Sequence, residues 1–241
     1  MRKLLFLLGL SALVSCGTLP QKYDYYVPVS YVELGFVGKK QKSVHQTEFK
    51  AFGIPKYENK VRLKVIQKDF SKSYFKKYTK AAKLSRVTTN VVYNDSIAPK
   101  PTFLNIDIED RVSVVSNINA QKPVFNYLKR SPQATIVSGL QIVPSNSFMK
   151  SYKNADAVYL ETDHHDKQWF LFYKKGKLIE KIDLNNSTIF GYKLSSFCWE
   201  ATERRKIKIA TIVDEGSVCT KMTKRNPEKL EQELTKSSFD F

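Results

Sequence analysis

Alternation of apolar and polar residues constrains the fold of this chain more than any other feature. Val61, Leu63 and Val65 are interleaved with Arg62, Lys64 and Ile66. Successive side chains of a β-strand point to opposite faces, so this spacing predicts a strand with one face buried. The same period returns at residues 206–213, where Ile207, Ile209, Thr211 and Val213 are expected on one face. Residues 25–38, 87–93 and 103–115 are rich in strand formers, with Pro28 marking an edge or a strand start in the first. Asn94-Asp95, Pro99 and Pro101 place a loop between the second and third. The clearest unit is an antiparallel meander: residues 156–162, then 168–173, a turn at Lys174-Lys175-Gly176-Lys177, and 178–184. Residues 188–197 add one strand more.

Helical signals are few. Residues 71–84 place Tyr74, Tyr78 and Ala81 or Ala82 on one side and Lys72, Lys76, Lys80 and Lys83 largely elsewhere. Residues 122–130 open with Pro123 and stop before Pro132, and Asn226 caps a helix over 227–236. The expected fold is mainly β, an antiparallel sandwich or open barrel with a few short peripheral helices. Residues 148–154 read as a loop that divides the chain in two, but a single β-rich domain over 28–241 is the reading adopted.

Residues 1–16 read MRKLLFLLGLSALVSC. Arg2 and Lys3 precede an apolar run from Leu4 to Val14, about half the ~20 residues that a transmembrane helix needs. A short basic start followed by such a run is the pattern of a secretory signal. Leu13-Val14-Ser15-Cys16 resembles the lipobox of bacterial prolipoproteins. The resemblance covers only these first 16 residues. It implies that residues 1–15 are removed and that Cys16 carries a diacylglyceryl group and an acylated amine. Two or three acyl chains, at about 0.8 kcal/mol per buried methylene, make detachment negligible. Gly17-Thr18-Leu19-Pro20 has no aspartate directly after the cysteine and no acidic cluster. By analogy with the best-studied lipoproteins, the expected address is the outer membrane, facing the periplasm. Residues 16–27 then form a short tether. Even fully extended, residues 17–27 reach only about 35 Å, so the body stays close to its membrane.

The formal charge of +17 falls to +15 as Arg2 and Lys3 leave with the signal, and 32 of the 40 basic residues are lysine. In a cytosolic protein this would suggest nucleic acid. Export argues against it, and turns the expectation to lipid head groups, cell-wall polymers or acidic protein faces. With Cys16 lipidated, Cys198 and Cys219 remain as a pair in an oxidising compartment, and a disulfide between them is expected.

Four features are candidates for chemistry. Asp163-His164-His165-Asp166 offers imidazoles and carboxylates for a transition metal. Adjacent residues of a strand face opposite ways, however, and His45 stands alone, so a solvated hairpin tip is the preferred reading. Asp107 and Glu109 fall on one face of a strand about 6.5 to 7 Å apart, with Asp110 next in line. That spacing overlaps the carboxyl separation of inverting glycosidases, but it also describes any solvent-facing strand side, with Leu104, Ile106 and Ile108 filling the core. The stretch 68–86 sets Lys72, Lys76, Lys77, Lys80 and Lys83 among tyrosines, as a membrane-surface helix would, although a helix packed on a sheet shows the same pattern and is preferred. Trp169, Phe170, Phe172, Tyr173 and Trp199 could form an aromatic platform, but in strands such residues more often fill the core.

The chain has no G-x-S-x-G elbow, no H-E-x-x-H, no G-x-x-x-x-G-K-[ST] loop and no G-x-G-x-x-G, and no cofactor is implied. The leading expectation is a membrane-anchored, periplasm-facing, non-catalytic lipoprotein that binds or stabilises other envelope proteins. A glycan or cell-wall-polymer binding module is the alternative, with Trp169, Trp199, Tyr25 and Tyr26 exposed in a row. A hydrolase or metal-dependent enzyme around 163–166 or 107–110 is the third.

Overall fold

The computed structural model describes residues 25–42, 47–220 and 222–236. The signal segment, Cys16, most of the tether and His45 lie outside the described residues. Among the described residues there are ten strands and five helices. The fold is mainly β, and its strands form one open antiparallel sheet that does not close on itself.

The sheet is organised around β5 (Ala134–Val143), nine of whose ten residues are buried. Covered on both faces, it reads as a continuous run, ATIVSGLQIV, with no alternation to mark it as a strand. β9 (Thr188–Ala201) pairs along one edge of β5. Along the other edge the sheet forks. The first residues of β5 take β1 (Val37–Lys42), which carries β2 (Thr47–Gly53); the later ones take β4 (Thr102–Ile108). Beyond β4 come β3 (Val61–Asp69), β6 (Ala157–Thr162), β7 (Gln168–Lys174) and β8 (Lys177–Ile182), while β10 (Ile207–Asp214) closes the opposite end on β9. The 168–184 part of the chain forms the meander expected of it, and Lys175 and Gly176 supply its turn in positive φ.

Each face of the sheet buries a separate apolar cluster. Leu104, Ile106 and Ile108 of β4 point into the larger core, with Val114 and Ile118 of α2 (Arg111–Ala120) and Leu128 of α3 (Lys122–Lys129). Phe148 of α4 (Asn146–Asn154) joins it, edge-on against Phe170 and Phe172. Phe103, one residue out of phase, points the other way. There it meets Phe70, Phe190 and the inner side of α1 (Lys72–Ser85), where Tyr78, Ala81 and Ala82 are buried. The Ser71 hydroxyl caps α1 by accepting from the Tyr74 amide, and Arg86 ends it in the left-handed region. Packing therefore defines this helix, as expected, and Lys72, Lys76, Lys80 and Lys83 are exposed.

Cys198, fully buried in β9, is bonded to Cys219 with a Cα–Cα distance of 5.7 Å. The bridge holds the stretch after β10 against β9, where Trp199 and Lys224 exchange backbone hydrogen bonds. That stretch leads into α5 (Pro227–Lys236), and the Asn226 side chain accepts from the Glu228 amide as its cap.

Several expectations need correction. Residues 87–93 form no strand; Val92 is 90% exposed, because strand formers without a neighbour to pair with stay irregular. The 103–115 stretch ends its strand at Ile108, since Asp110 accepts from the Ser113 amide and starts α2 there. Within 25–38 the strand β1 begins only at Val37, although Tyr26 bridges to Tyr192. Residues 148–154 belong to α4 and not to a dividing loop. In β10 a register shift between Ile209 and Thr211 reverses the alternation, so that Ile212 is buried in place of Thr211 and Val213.

Candidate functional site

The Asp163–Asp166 stretch is a hairpin tip between β6 and β7, with His164, His165 and Asp166 exposed. The Asp163 carboxylate accepts from the backbone amides of His165 and Lys167 and from Trp169 Nε1 at 2.7 Å. These bonds, the Trp169 bond first, hold its pKa down at about 2. Asp163 thus organises the turn, and Asp166 pairs with Lys56 at 2.8 Å. Among the described residues no group of three or more His, Cys, Asp or Glu side chains is placed to hold a metal ion.

The aromatic candidates divide. Trp199 is 2% exposed and packs edge-on against Phe125 in the larger core. Trp169 is half-buried between Lys167 and Lys181, whose ammonium groups lie 4.2 and 4.9 Å from its ring. No row of exposed tryptophans results.

Among the described residues, a larger assembly of charged groups lies in a cleft of about 480 Å3 on the α1 side of the sheet. The period of two in β3 sets Lys64, Ile66 and Lys68 along one wall. Beyond Phe103 on the same face of β4 come Asn105 and Asp107. β5 contributes Ser138, β9 Lys193, the end of β10 Asp214, and the first residue of α2 Arg111. Tyr25, from the segment ahead of β1, also lines the cleft.

Asp107 is therefore no ordinary solvent-facing strand residue. Its Oδ1 accepts from the Tyr25 hydroxyl at 3.1 Å. It fits because Gly139 stands opposite on β5; a Cβ there would lie 2.4 Å from Oδ1. Burial pushes the Asp107 carboxyl up, and the nearby Lys193 charge and the Tyr25 bond pull it partly back. Burial, with the Asp107 charge added, pushes the Tyr25 hydroxyl well above the usual tyrosine value, so it stays a proton donor.

Asp214 is shared between two cations: Arg111 Nη2 at 3.0 Å and Lys193 Nζ at 3.1 Å. Arg111 Nη1 also donates to the Ile212 carbonyl at 3.1 Å, fixing the guanidinium. The Ser195 hydroxyl donates to Ser138 Oγ at 2.7 Å beside them. Glu109 lies at the rim and pairs with Arg62 at 3.1 Å. So Asp107 and Glu109, expected together, take separate partners, and Asp110 is committed to the helix cap. Four cationic side chains line the cleft, and its carboxylates are already engaged. Chemically, this arrangement suits an anion better than it suits acid–base catalysis. No protein-family model matches the chain, and neither does any curated protein or solved structure.

Proposed function

We propose that this chain is a membrane-anchored, non-catalytic lipoprotein of the cell envelope that binds other envelope proteins through the free edge of its sheet. One observation carries the binding role. β8 is the outermost strand at its end of the sheet, and Leu178 and Ile179 on it are 51% and 41% exposed. An edge strand offers unpaired backbone groups for an added strand, and neighbouring apolar side chains on its two faces give the added strand something to pack on. The lipobox resemblance at Leu13–Cys16 supports the anchor, and Gly17-Thr18-Leu19-Pro20, without an aspartate or an acidic cluster, supports the outer membrane facing the periplasm as the address. The engagement of Asp107, Asp163 and Asp214, and the joining of both remaining cysteines, favour binding over catalysis.

A photo-crosslinking residue at Ile179, compared with one at the 80% exposed Val112, tests this reading in native membranes. One dominant adduct from position 179, absent from 112 and lost in the mislocalised Cys16→Ser chain, is expected. Equal labelling from both positions would contradict it.

A further inference from the structure

We propose that the face carrying the Lys64–Lys68 cleft and the outer side of α1 docks on the anionic phospholipid head groups of the membrane that holds Cys16. The inference deepens the lipoprotein reading and rests on it for the orientation of the body.

Tyr25, the first described residue, lines the cleft itself, and the Lys77 ammonium lies 3.5 Å from its carbonyl oxygen. Nine peptide steps separate Cys16 from Tyr25, which span at most about 30 Å. The tether therefore keeps the cleft beside Tyr25, and α1 next to it, within about 30 Å of the bilayer.

Charge on this face matches such a surface. Lys64 and Lys68 stand four residues apart on one face of β3, with Ile66, 37% exposed, between them. A basic pair thus flanks an exposed apolar side chain on one face of the strand, where the two ammonium groups reach the same surface. Lys64, Lys68, Arg111 and Lys193, with Arg62 at the rim, face the three carboxylates Asp107, Glu109 and Asp214, so the cations are in excess. On α1 the aromatic side faces the sheet, which leaves Lys72, Lys76, Lys80 and Lys83 outward. Lysines near an anionic leaflet are attracted over about a Debye length, well within what the tether permits.

The test uses the mature chain with Cys16→Ser, exported behind a signal lacking a lipobox so that its disulfide forms. Binding is measured by co-sedimentation with phosphatidylcholine vesicles, with and without phosphatidylglycerol. Binding only to the phosphatidylglycerol vesicles is expected, weakening as salt rises. Lys64→Glu with Lys68→Glu should weaken it by roughly tenfold or more. Lys174→Glu with Lys175→Glu, which makes the same charge change at the β7–β8 turn, should leave it nearly unaltered. The milder Lys64→Gln with Lys68→Gln pair serves if the reversed chain fails to fold, as judged by its circular dichroism, and a severalfold loss is then expected. Equal binding to both vesicle types, or equal loss from the two reversals, would overturn the proposal. Because no acyl chain is present, a negative result leaves the lipid anchor standing. An unmodified Cys16 in cells would instead remove the anchor and leave the vesicle result intact.

Discussion

Tyr25 donates a hydrogen bond to Asp107 across 82 positions of sequence, joining the segment that leaves the tether to the middle of the sheet. The contact seals one side of a cationic cleft and ties the orientation of the body to the place where the chain enters it. A double-mutant cycle with Tyr25→Phe and Asp107→Ala should therefore return a coupling of about 1 kcal/mol in urea unfolding. Additive effects would mean that the two groups do not interact.

The close approach of β5 to Asp107 makes Gly139 a steric requirement. Gly139→Ala should cost roughly 1–3 kcal/mol, since the new Cβ would drive Oδ1 away from its present position. Gly53→Ala places its Cβ where nothing lies within 4 Å and should change stability by less than about 0.5 kcal/mol. Thermal or urea unfolding of the two variants checks this contrast.

The bridge between Cys198 and Cys219 closes a stretch with a sequence separation of 21. On the chain-entropy account, Cys198→Ser with Cys219→Ser should lower stability by about 3 kcal/mol. Peptide mapping without reduction should recover the two cysteines in one linked species.

Glu33 carries a pH signature. Burial, and then the charge of Asp183, raises its pKa from an ordinary 4.5 to about 6. The folded chain thus holds this proton more tightly than the unfolded chain does. The resulting stabilisation is fully present below about pH 4.5 and is lost as pH rises through 6. Asp107, also raised, acts in the same sense. The urea midpoint of the wild-type chain should fall across this window relative to that of Glu33→Gln. Parallel profiles for the two proteins would contradict the assignment.

Parts of this fold are legible in the sequence where a local signal and the tertiary environment agree. The β7–β8 turn has Gly176 where positive φ is needed, α1 has Ser71 as its cap and an aromatic stripe, and the two cysteines left after Cys16 have only each other. β5 leaves no such signal, because burial on both faces erases the alternation by which strands are read. α2 is disguised by Val112, Val114, Val115 and Ile118, residues of low helix propensity, and the last three are buried in the larger core that holds the segment in a helix. The cleft was the least legible feature. Asp107 could be picked out by its position in a strand, but Tyr25, the Lys64 and Lys68 pair of β3, Arg111, Lys193 and Asp214 come from five separate parts of the chain, and no spacing brings those parts together.

The most direct measurement is the mass of the amino-terminal peptide of the protein extracted from its native membranes. The expected result is a mature chain that begins at Cys16 and carries a diacylglyceryl group with or without a further acyl chain, shifted to an unmodified, mislocalised product by Cys16→Ser. An amino terminus elsewhere, or an unmodified Cys16 in the membrane-extracted protein, would contradict it.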